Sequence, residues 1–95
     1  MTELEDCRKK ISDIDERIIR LIDQRMEISK EIFEAKRIEG RQISDPKREK
    51  QVLSNVAELA KERNLDADAI REIFVILIRM SLEKQREMQG SGPQS

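Results

Sequence analysis

An all-α fold follows from three features of the sequence. Residues 3–39 contain neither Gly nor Pro. Apolar residues in that stretch recur at alternating spacings of three and four, the period of a helix with one covered face. Ala, Glu, Lys, Leu and Arg together supply 44 of the 95 residues, close to the composition of long helices and coiled coils. Gly and Pro number only five, and four of these fall at positions 40, 90, 92 and 93, which excludes an all-β sandwich built on many tight turns.

Three helices are predicted in one domain, residues 1–89: a long N-terminal helix and two shorter ones. The first follows the seam Leu4, Cys7, Ile11, Ile14, Ile18, Leu21, Arg25, Ile28, Ile32, Ala35. Ile19, Ile22, Met26 and Phe33 widen that seam into a face, and Cys7 reads as one of its small core residues. Gly40 is a natural stop, with Lys36 and Arg37 suited to the negative end of the helix dipole. Asp45-Pro46 restarts the chain as a second helix, with Asp45 as cap and Pro46 at the first position. Its expected buried stripe is Val52, Leu53, Val56, Leu59 and Ala60. Asn64-Leu65-Asp66 breaks it, and Asp66 caps a third helix that runs to about Gln89. There Ile70, Ile73, Phe74, Leu77 and Met80 are expected to be buried. Residues 90–95, Gly-Ser-Gly-Pro-Gln-Ser, read as a flexible tail.

Length then implies a partner. A helix of some 36 residues is about 54 Å long, whereas a compact monomer of this size has a radius of gyration of about 12 Å. Two short helices cannot cover such a seam, and a second copy related by a two-fold axis is the most economical cover.

Composition narrows the function classes. With no His and a single Cys, neither a His/Cys zinc site nor a Cys–His nucleophile can be assembled, and no metal or cofactor is expected. One Cys makes no internal disulfide and points to the cytoplasm, as does the lack of a signal-peptide pattern. No apolar run approaches the length of a membrane span. Nineteen basic and twenty acidic residues are interspersed, which argues against a nucleic-acid surface.

The informative residues are charges that break the apolar pattern. Arg25 occupies a seam position, and a buried guanidinium needs a partner. A structural ion pair or a register-setting role would satisfy it. Lys36, however, lies eleven residues on, about 20° away around the helix and about 16 Å along its axis. Two such cations can close on one small anion. A short loop places Arg48 and Glu49 beside Lys36, and a returning third helix brings Ser81 and Gln85 to the same end. Singly, each of these four reads as a solvated or fraying helix position. Together with Arg25 and Lys36 they make a candidate anion site.

The stretches Cys7-Arg8-Lys9-Lys10-Ile11-Ser12-Asp13-Ile14-Asp15, Arg25, Ala35-Lys36, Asp45-Pro46-Lys47-Arg48-Glu49, Ile73-Phe74, Ser81 and Gln85 resemble the all-helical AroQ class of chorismate mutases. The resemblance covers about residues 4–88. It implies an intertwined, antiparallel homodimer of three-helix chains that rearranges the chorismate dianion to prephenate in Phe and Tyr biosynthesis. By position, Arg25 and the partner's Arg8 would bind the substrate carboxylates, with Arg48 and Ser81 assisting. Lys36 and Gln85 would donate hydrogen bonds to the ether oxygen, and Glu49, with Asp45 nearby, would hold the ring hydroxyl. Arg8 lies about 42 Å from Lys36 along its own helix, so it reaches such a site only across a dimer. Two rivals share the features: an isochorismate-pyruvate lyase on the same fold, and a non-catalytic helical dimerisation or regulatory module.

Overall fold

The computed structural model describes residues 2–90, arranged as α1 (Glu3–Glu39), α2 (Pro46–Glu62) and α3 (Ala67–Gly90). Each boundary has a local cause. Thr2 opens α1 with a capping box: its Oγ1 accepts the Glu5 N–H at 3.1 Å, and Glu5 Oε2 accepts the Thr2 N–H at 3.4 Å. Gly40 closes α1 in the left-handed conformation, φ 69° and ψ 29°, while the Arg41 N–H donates to the Lys36 carbonyl at 2.8 Å. A side chain at position 40 would be strained there, and this turn aims the following loop back across α1.

Asp45 caps α2 as predicted, its Oδ1 accepting the Arg48 N–H at 3.2 Å, with Pro46 in the first turn. Asn64, one of the few residue types that tolerates a positive φ, takes 57° in the turn to α3. Asp66 Oδ1 then accepts the Ala69 N–H at 3.1 Å. Helix α3 includes Gly90, one residue beyond the domain boundary expected, a difference within ordinary fraying of helix ends. The remaining tail positions, 91–95, lie outside the described residues.

Helix α3 is the centre of the chain and packs against both α1 and α2. On α2 and α3 two residues expected in the core face outward instead: Leu59 is 55% exposed and Ile73 50% exposed. Each lies at the edge of its stripe, and with three helices only one side of α2 and one of α3 meet. Ala60, Val52, Leu53, Val56, Phe74, Leu77 and Met80 are buried or half-buried, as expected.

The larger departure from a compact globule is α1. The chain measures 61 × 29 × 15 Å, and its radius of gyration is 17.2 Å. Every residue from 2 to 21 is exposed, including seam members Leu4, Cys7, Ile11, Ile14, Ile18 and Leu21. Cys7 is therefore not a core residue of the single chain. The apolar seam exists, but Ile28, Ile32 and Ala35 further along it are exposed as well, so Arg25 alone of its members is half-buried, and what the single chain covers is the neighbouring face of Ile22, Met26, Ser29 and Phe33. Ion pairs among the described residues join positions three or four apart on one helix. They support helices locally and hold no helix to another. None of the described helices is long and apolar enough to cross a membrane.

Candidate active site

Where the end of α1, the 40–45 loop, the start of α2 and the second half of α3 meet, they line a half-open cavity of about 240 Å³. Its lining contains Arg25 and Lys36 from α1, Asp45, Arg48 and Glu49 from the α2 entry, and Ser81 and Gln85 from α3. Ile32, Ile43, Val52, Ile78 and Leu82 supply apolar wall between them. Seven of the eight residues singled out in the sequence thus converge. Arg8 does not: it sits on the exposed arm of α1.

The cavity exists because polar residues take over from apolar ones on the covered faces. On α3 the stripe Ile70, Phe74, Leu77 continues as Ser81 and Gln85, both buried. On α1, Arg25 and Lys36 flank Ser29 and Phe33, which are also buried. The Arg25 guanidinium donates from Nη1 to the Leu77 carbonyl at 3.1 Å. That single contact leaves its other donors for a ligand. Burial lowers its pKa, with no carboxylate partner to offset the desolvation.

Lys36 is held from two sides. Its ammonium donates to Gln85 Oε1 at 3.0 Å and to the carbonyl oxygen of Ile43. An ammonium has three N–H groups, so one is uncommitted among the described residues. Desolvation lowers its pKa from the usual 10.5, opposed by the charges of Asp45 and Glu49 and reinforced by Arg41. Gln85 uses its oxygen on Lys36 and one N–H on Ser81 Oγ at 3.4 Å, leaving a second N–H.

The α2 entry is braced separately. Glu49 Oε2 accepts the backbone N–H of Asp45 at 3.0 Å, reciprocating the Asp45 cap. This fixes one carboxylate oxygen of each residue and leaves the other without a hydrogen-bond partner among the described residues, and both residues line the cavity. Arg48 is exposed at the rim, where Nη1 donates to Gln51 Oε1 at 2.9 Å.

Three cations and two carboxylates give the cavity an excess of positive charge. Fixed N–H donors stand on one wall and carboxylate oxygens on another. The chemistry of these groups suits an anion that carries a hydroxyl, with donors at Lys36 and Gln85 able to meet negative charge. Two contributors escaped the sequence reading. The Ile43 carbonyl is a loop backbone atom with no sequence signal. Ser29 had a weak one, as a hydroxyl on the covered face between Arg25 and Lys36.

Comparison with known proteins agrees with this geometry. Residues 7–86 match the family model described as chorismate mutase type II. The chain is 38% identical over 85 residues to a chorismate mutase of Methanocaldococcus jannaschii, covering 90% of this chain and 86% of that protein. It is 33% identical over 81 residues to a bifunctional chorismate mutase/prephenate dehydratase of Escherichia coli, covering 85% of this chain and 21% of the relative. Against the enzyme of the same description from Aquifex aeolicus the identity is 33%, over all of this chain and 28% of that protein. A helical chain whose three elements converge on these polar residues, and which matches the family model over nearly its whole length, belongs to the chorismate mutase type II family.

Proposed function

We propose that this chain catalyses the rearrangement of chorismate to prephenate. The observation that carries the reading is the cavity itself: Arg25, Lys36, Arg48, Glu49 and Gln85, contributed by three helices, face one space of about 240 Å³.

Chorismate is a dianion with a ring hydroxyl, and its rearrangement is intramolecular. The bond to the ether oxygen breaks as a carbon–carbon bond forms, without proton transfer or a covalent enzyme intermediate. The catalyst has two tasks: to hold a flexible substrate in its reactive shape, and to stabilise charge at the ether oxygen. Arg25 and Arg48 meet the first task by gripping carboxylates, with Glu49 accepting from the hydroxyl. The spare N–H groups of Lys36 and Gln85 meet the second. Both donors are fixed before substrate arrives, so little reorganisation is needed in the transition state.

The reading includes a homodimer. The exposed arm of α1 carries Leu4, Ile11, Ile14, Ile18 and Leu21, a stripe that requires cover. An antiparallel partner would cover it and bring the partner's Arg8 to the cavity of this chain. The cavity's excess of one positive charge would then become two, matching a dianion. We place the enzyme in the cytoplasm on its single free cysteine.

The test is chorismate depletion followed by ultraviolet absorbance, with prephenate identified as product and isochorismate offered in parallel. Rapid prephenate formation without added metal is expected. Turnover of isochorismate alone, or of neither compound by the folded protein, would refute the reading.

A further inference from the structure

A second half-open cavity, of about 510 Å³, lies between the ends of α1 and α3 and the 40–45 loop. It is larger than the candidate active site and shares only Lys36 and Ile43 with it. The reaction as derived above leaves it unused.

Its charges are unevenly matched. Arg37 donates from Nε and Nη2 to Glu34 Oε2 at 3.1 and 2.8 Å, so the one carboxylate in the lining is already paired. Lys36 gives its ammonium to Gln85 and the Ile43 carbonyl. The Arg41 guanidinium has neither an ion pair nor a side-chain hydrogen bond among the described residues. A guanidinium with all its donors open takes a carboxylate as a fork. Beside it the cavity is apolar: Phe33 is 8% exposed, and Ile43 and Met88 are half-buried. A thioether next to such a surface suits the edge or face of a flat ring.

The cavity also lies away from the apolar seam. At 100° per residue, Phe33 and Arg37 are about 140° and 180° around α1 from the centre of Ile28, Ile32 and Ala35. A partner helix laid along that seam would leave this cavity open to solvent.

We propose that this cavity binds a small aromatic monocarboxylate, with its ring on Phe33, Ile43 and Met88 and its carboxylate on Arg41, and that the occupant acts on the neighbouring site through Ile43. The link is one residue: Ile43 lines both cavities, and its carbonyl is one of the two holds on Lys36. An occupant that displaces Ile43 loosens the ammonium that the reaction needs fixed. The binding half stands apart from the reaction, and only the coupling half rests on the mutase reading.

The test uses the full chain with 3-phenylpropionate as probe and 3-phenylpropanol as its uncharged counterpart. Calorimetric titration should give a Kd of about 1 mM for the acid, ordinary for a ligand of this size, and much weaker binding of the alcohol. Arg41→Gln should weaken the acid about fivefold, as expected for an exposed charge contact at the upper end of its range. Arg25→Leu, which alters only the other cavity, should leave it unchanged. With methionine methyl groups labelled for nuclear magnetic resonance, Met88 should shift on titration while Met26 and Met80, which line neither cavity, stay in place. Absence of titration, equal binding of acid and alcohol, indifference to Arg41→Gln or a silent Met88 would each overturn the site. Loss of binding in Arg25→Leu would do the same, by placing the probe in the candidate active site. In chorismate turnover, saturating acid should lower kcat about three- to tenfold with little change in KM, short of the roughly 10²–10³ lost when a transition-state donor is removed outright. An unchanged kcat, or a rise in KM alone, would overturn the coupling. An inactive parent chain would defeat the mutase reading and the coupling with it, while the titration still decides the site.

Discussion

Lys36 Nζ and Gln85 Oε1 lie 3.0 Å apart, on helices 49 residues apart in sequence, and each fixes the other's spare N–H. The pair is the only direct side-chain bond between a charged group of α1 and an amide of α3 among the described residues. The catalytic predictions start from it.

Lys36→Ala removes the cation beside the reacting oxygen. The expected loss in kcat is about 10²–10³ or more, by comparison with removal of other transition-state donors. The helix should remain, since Lys36 lies in the last turn of α1 and is only half-buried. Steady-state kinetics with a circular dichroism spectrum checks both halves. The wild-type alkaline limb should begin below the ordinary lysine value of 10.5, because burial lowers this pKa. In stability the sign is the reverse of a salt bridge. The unfolded chain holds this proton more tightly, so between the folded and unfolded pKa values stability rises with pH. Glu49→Gln removes a charge that holds the Lys36 pKa up, and should shift the alkaline limb in kcat/KM to lower pH.

Gln85→Glu exchanges a donor that needs no proton for one that does. At neutral pH the carboxylate would accept from Lys36 and offer nothing to the ether oxygen. Activity should fall sharply there and recover as pH is lowered and the carboxyl protonates. A pH profile parallel to wild type would show that the residue 85 N–H takes no part.

Arg25→Leu separates an enzyme from a structural module. The guanidinium is half-buried, with one described hydrogen bond, to the Leu77 carbonyl. Replacing such a group with an apolar one is often neutral or stabilising. Activity should be lost while the thermal midpoint stays level or rises. Retained chorismate turnover would remove Arg25 from substrate binding.

Mixing tests the proposed dimer. Arg8→Ala and Arg25→Ala chains should each be nearly inactive alone. A heterodimer would combine the intact Arg25 of one chain with the intact Arg8 of the other in one of its two sites. An equimolar mixture allowed to exchange should recover about a quarter of wild-type activity per chain, from random pairing of a two-fold dimer. No recovery after demonstrated exchange would mean that Arg8 does not act across chains.

Much of the fold was written in local chemistry. Gly40, Asp45-Pro46 and Asp66 mark helix ends by what their side chains or backbone can satisfy, and the structure uses each of them, adding Thr2, which the sequence reading did not single out. The site was legible where polar residues interrupt an apolar stripe, as at Arg25, Ser81 and Gln85. Leu59 and Ile73 were misplaced because periodicity shows that a face is apolar, not how much of it the chain itself can reach. The same limit applies to the seam from Leu4 to Ala35, of which only Arg25 is half-buried. The hold of the Ile43 carbonyl on Lys36 depends on the path of a loop, which no residue pattern encodes.

The capping box at Thr2 and Glu5 sits at the tip of the uncovered arm, where α1's own backbone bonds and the exposed pairs Lys9–Asp13 and Glu16–Arg20 maintain the helix with no help from another element. A lone helical segment opens easily, since little besides propensity resists fraying. Amide hydrogens of residues 3–21 should therefore exchange with deuterated water well ahead of those in α3 wherever the stripe is bare, and slow down wherever it is covered. The arm is thus a built-in gauge of association, readable amide by amide without attaching a label.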